Sequence, residues 1–328
     1  MKIVLYGSPV TGFRERLAGE LSIEAEIAGV GYDADPRALA EAFDGAGAVV
    51  TVRYDARVPP CPGLRLVQVP GVGCDEIETV RLPPTASLCN VHGHEPGSAE
   101  YVVWALLEWR HRLCEAAAEF RAGSWARSSR AGAPPHGELA GSTALVVGLG
   151  PIGQAVARRL AAFDVTVLAA NRTPRHDVPG VAECHGLEAL PRLAGRADFV
   201  VLCIALAPET RGLIDASVLA AMRPDAVLVN VARGPVVDEA ALHDALAGGR
   251  IGGAVIDVWY RYPDGAEDVP PSRFDFAALP NVMMTPHISG WTTGTVARRW
   301  RFIAENIERA ASGAPLDNVV RPARGAEE

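Results

Sequence analysis

Residues 146–160 read VVGLGPIGQAVARRL. An apolar run enters a turn with glycines at 148, 150 and 153, and a helix-forming stretch leaves it. In a G-x-G-x-x-G turn each glycine has its own task. The first permits the tight turn, the second lets the backbone approach a pyrophosphate, and the third lets helix and strand pack closely while the helix N-terminus faces the anion. The spacing alone is weak evidence in a chain with 33 glycines. The strand before it and the helix after it carry the reading, against the alternative of an ordinary strand-to-helix turn. Gly148, Gly150, Pro151, Ile152 and Gly153 are therefore the expected cofactor-binding residues of the turn.

Further apolar runs lie on both sides. STALVVG (142–148), DVTVLAA (164–170), DFVVLCI (198–204), DAVLVNV (225–231) and GGAVIDV (252–258) alternate with helical stretches, the rhythm of a doubly wound α/β unit with parallel strands. Earlier in the chain KIVLYG (2–7), GAVVTVR (47–53) and LRLVQVP (64–70) repeat that rhythm. Apolar residues at helical spacing over 99–123 predict one long helix joining two domains, and 293–313 predicts an amphipathic helix closed by Gly313. The second strand of the central unit ends at Asn171, Arg172 and Thr173, about twenty residues past the glycines, where an Asp or Glu would hold the ribose of NAD. No carboxylate stands there. Asn171 removes the repulsion toward a 2′-phosphate, and Arg172, Thr173 and Arg175 suit one, so NADP is favoured over NAD. The alternative is that Asn171 bonds the ribose of NAD while Arg172 stacks on adenine.

Composition narrows the partners. A chain of 328 residues accommodates two domains. Its net charge of −8 is scattered, without the clustered Lys and Arg that nucleic acid or an anionic membrane would require. No run approaches the ~20 apolar residues of a membrane span, and the start MKIVLYGSPV lacks the longer apolar segment of a signal peptide. The expectation is a cytoplasmic protein. Six cysteines, none in a C-x-x-C pair, are expected as buried thiols.

With the turn placed, PGVGCDEIE (70–78), AEYVVWALLE (99–108), LAPETRGLID (206–215), VNVARGPVVDEAAL (229–242), GGAVIDV and LPNVMMTPHISG (279–290) fall into an order that resembles the D-isomer-specific 2-hydroxyacid dehydrogenases. The resemblance spans nearly the whole chain. It implies two Rossmann-like domains: a split flavodoxin-like substrate domain over 1–98 plus 292–328, and an inserted NAD(P)-binding domain over 99–291. It also implies an active site in the cleft between them and a homodimer. Residue by residue, Arg233 matches the substrate-clamping arginine and His287 the acid/base histidine. Val231 and Ala232, beside the arginine, and Asp257, near the nicotinamide carboxamide, match cofactor positions. Val72 and Gly73 match the loop that holds the substrate carboxylate. The chemistry agrees, since a guanidinium offers a planar fork of donors to a carboxylate and an imidazole carries a proton near neutral pH.

One position departs from the family. Most members carry a Glu five residues after the Asp of D-V-F or D-V-Y, paired with the histidine, and Tyr262 stands there. The stretch IDVWYRYP (256–263) followed by TPHISG resembles the local pattern of formate dehydrogenases. A tyrosine can orient an imidazole through a hydrogen bond but lacks the charge that raises the imidazole pKa. Asn90, His92 and His94 precede the long helix, where either histidine is a candidate for a further anionic group of the substrate or a brace for the helix start. A metal site at His92, His94 and Glu95 is not expected. Trp291 either walls the substrate pocket or packs on the last helix. The resulting expectation is an NAD(P)-dependent oxidoreductase interconverting a 2-oxoacid and a D-2-hydroxyacid, with a small anionic substrate and no metal. Oxidation of formate, phosphite or a phosphonate, and cofactor sensing without turnover, are the alternatives.

Overall fold

The computed structural model of the chain describes residues 1–263 and 269–324. In chain order the strands among the described residues are β1 (Lys2–Tyr6), β2 (Glu26–Val30), β3 (Ala46–Thr51), β4 (Leu66–Gln68), β5 (Ser87–Cys89), β6 (Thr143–Val147), β7 (Thr166–Ala170), β8 (Glu183–His185), β9 (Phe199–Leu202), β10 (Val227–Asn230), β11 (Gly253–Ile256), β12 (Val282–Met284) and β13 (Val319–Arg321). They form two sheets. The chain divides into two compact units, Met1–His94 with Thr293–Glu328, and Glu95–Thr292.

The inserted unit holds seven strands in the order β12-β11-β10-β9-β6-β7-β8, all parallel. The order reverses between β6 and β9, the switch point at which a doubly wound sheet binds its ligand beyond the carboxyl ends of the strands. Strands β9, β10 and β11 are buried throughout, which explains why they read as continuous apolar runs rather than alternating ones. Leu145, Val147, Leu168, Val200 and Leu228 face one core layer. Their neighbours Ala144, Val146, Val167, Val201 and Val229 face the other, together with Val102, Leu106, Val156 and Leu160 from two helices.

The first unit has the order β13-β5-β4-β3-β1-β2. Strands β1 to β5 are parallel, in the flavodoxin-like order 2-1-3-4-5, and β13 adds antiparallel to β5. Helix Thr293–Ser312 returns the C-terminal segment to this sheet. It buries Trp300, Ile303, Ala304 and Ile307 against Ile3, Leu5, Ala48, Val50 and Leu66. Trp300 is 1% exposed and stacks on Phe13 with ring centroids 4.9 Å apart, a burial that contributes ~2–3 kcal/mol. A polar seam crosses the same layer. Buried Asn306 donates to Gln68 Oε1 at 2.9 Å and to Asp317 O at 2.9 Å, and accepts from Asp317 N at 2.9 Å.

Two sequence expectations are corrected. The single helix over 99–123 is two, Glu95–His111 and Leu113–Arg121, because Arg112 takes φ +52°. Its guanidinium lies over the Trp109 ring at 4.2 Å, and the carboxylate of buried Glu108 accepts from Cys114 N at 3.0 Å, capping the second helix from the last turn of the first. The thiols are not all buried: Cys61 and Cys89 are, Cys74, Cys184 and Cys203 are half-buried, and Cys114 is exposed because the helix carrying it buries none of its side chains. Among the described residues no helix is long and apolar enough to cross a membrane, and no group of three or more His, Cys, Asp or Glu is placed to hold a metal ion.

Candidate active site

The three glycines of the turn do three different things. Gly148 has φ +95°, and a Cβ there would stand 2.8 Å from Cys203 O. At Gly153 a Cβ would meet Gly148 O at 1.9 Å, so helix Pro151–Ala161 approaches its strand as closely as only glycine permits. Around Gly150 nothing lies within 4 Å of the Cβ position. That open space, at the N-cap of a helix whose first N–H groups have no intrahelical partner, suits a pyrophosphate. Pro151 occupies the first helical turn and half-buried Ile152 packs on the core. These residues fit a dinucleotide, whose phosphates they would hold.

Asn171 holds this turn. Its Oδ1 accepts from Leu149 N at 3.0 Å and its Nδ2 donates to Thr173 O at 2.8 Å. Gln154, which sequence reasoning passed over, closes the other side by donating to Leu149 O at 2.8 Å. Arg172 is highly exposed and lies 3.7 Å from the Glu209 carboxylate, a separation and exposure that make the pair worth little in water. A cavity of about 420 Å³ opens next to this stretch, lined by Arg175, His176 and Asp177 on one side and Glu183, Cys184 and His185 on the other. The Arg196 guanidinium and His185 hold the Glu183 carboxyl down at about 2.

Three further loops leave the carboxyl ends of β10, β11 and β12. After β10, buried Asn230 braces the turn, accepting from Ala232 N at 3.0 Å and donating to Arg233 O at 3.0 Å. Val231 is half-buried and Ala232 buried. The half-buried Arg233 donates through Nη1 to Ala232 O at 2.8 Å. Gly234 is required here, because a Cβ would stand 2.4 Å from Trp259 O. After β11, Asp257 is fully buried and both its oxygens point at the turn after β12. Oδ1 accepts from Thr285 Oγ1 at 2.6 Å and Ile288 N at 2.8 Å, and Oδ2 from Ser289 N at 2.9 Å. His287 is exposed, with φ +59°. Its ring centroid lies 5.5 Å from that of Tyr262 at a 53° tilt, and the Tyr262 hydroxyl accepts from Trp259 N at 3.1 Å. Trp291 N closes the turn onto Ile288 O at 2.9 Å, and the indole is exposed.

The remaining expected residues belong to the first unit. Asn90 donates to Val72 O at 2.6 Å and Val91 N to Gly71 O at 3.3 Å, so the segment after β5 latches the loop that carries Val72 and Gly73. His92 meets Phe302 edge-on at 5.9 Å. His94 is buried and its Nε2 accepts from Arg299 Nη2 at 2.8 Å, and burial pushes that guanidinium down to about 10. Sequence reasoning missed Asn230, Thr285, Tyr101 and Trp259 as the residues that hold the loops. A buried Asn at the end of a strand, inside VNVAR, was the one local signal among them.

The sequence description of the D-isomer specific 2-hydroxyacid dehydrogenase NAD binding domain matches residues 103–289. A D-3-phosphoglycerate dehydrogenase of Mycobacterium tuberculosis is 36% identical over 272 residues, covering 80% of this chain and 48% of its own. The chain thus spans about half the length of the phosphoglycerate dehydrogenases it matches. A glyoxylate reductase of Thermofilum pendens is 34% identical over 272 residues, 81% of this chain and 77% of its own. An NADPH-dependent glyoxylate/hydroxypyruvate reductase of Sinorhizobium meliloti, solved with NADP and malonate, superposes with a TM-score of 0.81 at 29% identity over 97% of this chain and 96% of its own. With the match covering more than half the chain, and the glycine turn, Arg233 and His287 all inside it, the chain belongs to the D-isomer specific 2-hydroxyacid dehydrogenase family.

Proposed function

We propose that the protein is an NAD(P)-dependent reductase of 2-oxoacids, forming D-2-hydroxyacids, with NADP as its preferred cofactor. The observation that carries this reading is the common edge of the inserted sheet. The glycine turn, the Arg233 loop and the His287 turn all follow the carboxyl ends of parallel strands, β6, β10 and β12. Arg233 offers a planar fork of donors to the substrate carboxylate and polarises the adjacent carbonyl. Protonated His287 supplies the proton to the carbonyl oxygen. When bound, the reduced nicotinamide supplies the hydride to C2. Tyr262 orients His287 across the ring contact between them.

The preference for NADP rests on Asn171 and Arg172. Asn171 is neutral and already tied to Leu149 and Thr173. Arg172 is exposed, and its weak pairing with Glu209 would yield to a 2′-phosphate. The solved relative from Sinorhizobium meliloti that carries NADP adds to this reading.

A panel of glyoxylate, hydroxypyruvate and pyruvate, each with NADPH and NADH, tests the proposal when followed by absorbance of the reduced cofactor. Turnover of at least one oxoacid is expected. Arg233→Ala should lower kcat/KM by about 100-fold or more, as loss of a charge-assisted bidentate contact does, while NADPH affinity is retained. Near-normal turnover in that variant removes Arg233 from the site. Cofactor binding with no turnover at all points to a sensor, and oxidation of formate or phosphite alone points to that dehydrogenase chemistry.

We also propose that the protein acts as a homodimer. Helix Leu113–Arg121 buries none of its side chains within the chain, and Leu113, Phe120 and Trp125 are exposed in the same excursion. Such a patch is costly on a lone chain and suits a second copy. Light scattering should give twice the chain mass, and Trp125→Glu should shift the protein toward monomer. A monomeric wild type would remove this proposal.

A further inference from the structure

His287 sits at φ +59°, in the left-handed region that side chains with a Cβ avoid. A turn in that conformation needs holding from outside, and the holders are on adjacent elements of the inserted unit. Asp257 receives Thr285 Oγ1, Ile288 N and Ser289 N. A carboxylate only accepts, so the Thr285 hydroxyl donates to Asp257, and with its single proton committed it accepts from Tyr101 Oη at 2.6 Å. Burial pushes the Tyr101 phenol up to about 12, so it remains a donor at neutral pH. The backbone of the same residue is held too, with Trp259 Nε1 donating to Thr285 O at 2.9 Å. Thr285 is thus tied at side chain and main chain, two residues before the histidine, by Tyr101 on helix Glu95–His111 and by Asp257 and Trp259 after β11.

We propose that Thr285 is a positioning residue for the acid/base histidine, relaying the hold of Tyr101 and Asp257 onto the turn that aims His287. The inference rests on the reading of His287 as the proton donor. Neither Thr285 nor Tyr101 touches a reacting atom in this scheme. Their effect on rate comes through the orientation of the imidazole, to which proton transfer is sensitive at the scale of a fraction of an ångström. Asp257 accordingly serves the histidine turn through both of its oxygens, besides any contact with the nicotinamide carboxamide that the family resemblance implies.

The test compares Thr285→Val, Thr285→Ser and Tyr101→Phe with the wild type, using the oxoacid that the wild type reduces best and NADPH. Valine keeps the shape and removes the relay. Expected is a fall of about tenfold or more in kcat for Thr285→Val, with the oxoacid KM and the NADPH dissociation constant each within about twofold of wild type and kcat largely restored in Thr285→Ser. Tyr101→Phe, which leaves the Thr285–Asp257 bond in place, should lower kcat by a smaller factor in the same manner, and it serves as the deciding variant if Thr285→Val does not fold. Wild-type kcat in a folded Thr285→Val, or in Tyr101→Phe if only that variant folds, overturns the proposal. So does a loss of NADPH affinity parallel to the loss of rate, since that marks a general collapse of the unit. Wild-type rates in His287→Ala would instead sink the underlying reading, whatever the Thr285 variants do.

Discussion

The glycine turn after β6 and the histidine turn after β12 are both short loops at carboxyl ends of strands in one sheet, yet they are built by opposite means. The glycine turn is shaped by what is missing. Its three glycines act through an absent Cβ, at a positive φ, at an open face and at a 1.9 Å approach that no side chain could make. The histidine turn is shaped by what reaches it. Asp257, Tyr101 and Trp259 come from outside the loop and hold a histidine in a conformation it would not choose alone. A loop that must present its own backbone to a ligand is best made of residues without side chains. One that must aim a side chain needs tethers, because an untethered imidazole loses the orientation that makes it useful.

If the glycine turn depends on contact distance alone, Gly153→Val should be the most damaging change. The branched side chain would drive the helix off Gly148, and NADPH affinity should fall by about 100-fold or more with a lower Tm, overpacking of this kind costing ~1–3 kcal/mol or more. Fluorescence titration with NADPH and thermal unfolding read both effects. Wild-type affinity would mean that the close approach is not what shapes the site.

A change in the tethers should separate the two turns. Asp257→Asn turns an NH2 group toward one of the three donors now received, at a cost of ~1–3 kcal/mol. Expected is a fall in kcat for oxoacid reduction of about tenfold or more, with NADPH affinity changed by less than the rate is. Equal losses in steady-state rate and equilibrium binding would break the contrast, since they would make the two loops a single cooperative unit.

The third test acts on the imidazole itself. Tyr262→Glu would set an anion beside His287 and favour the imidazolium. Reduction uses the protonated form, so the alkaline limb of kcat/KM should move to higher pH. An unmoved limb in a folded variant would show that position 262 does not govern the histidine.

The smallest effect is expected where the glycine turn meets its neighbour. Asn171→Asp keeps an acceptor for Leu149 N and loses the bond to Thr173 O, so the turn should persist. The new charge should weaken NADPH relative to NADH by about three- to tenfold, through repulsion of the 2′-phosphate. An unchanged ratio of the two dissociation constants would remove Asn171 from the discrimination.

The two turns also mark where sequence reading ended. VVGLGPIGQAVARRL carried its own structure, because a tight turn, a close approach and an amphipathic helix are set by residues within a few positions of one another. The same holds for the buried strands β9, β10 and β11, whose apolar runs report burial on both faces, and for helix Thr293–Ser312. Edge strands were less legible: β8 is only half-buried along its length and β2 mixes exposed and buried positions, so neither shows a clean apolar run. The break at Arg112 goes with Glu108 capping Cys114 beyond it and with Arg112 itself lying over the Trp109 ring, and the helical spacing of 99–123 runs straight through it. Family resemblance named Arg233 and His287, but not what aims them. Thr285 finds Asp257 from 28 residues away and Tyr101 from 184, and Asn306 finds Gln68 from 238. A hydrogen bond between distant residues leaves no periodicity in the chain. It exists only once the order of the strands has brought two positions within three ångströms, and that order is a property of the whole packed sheet.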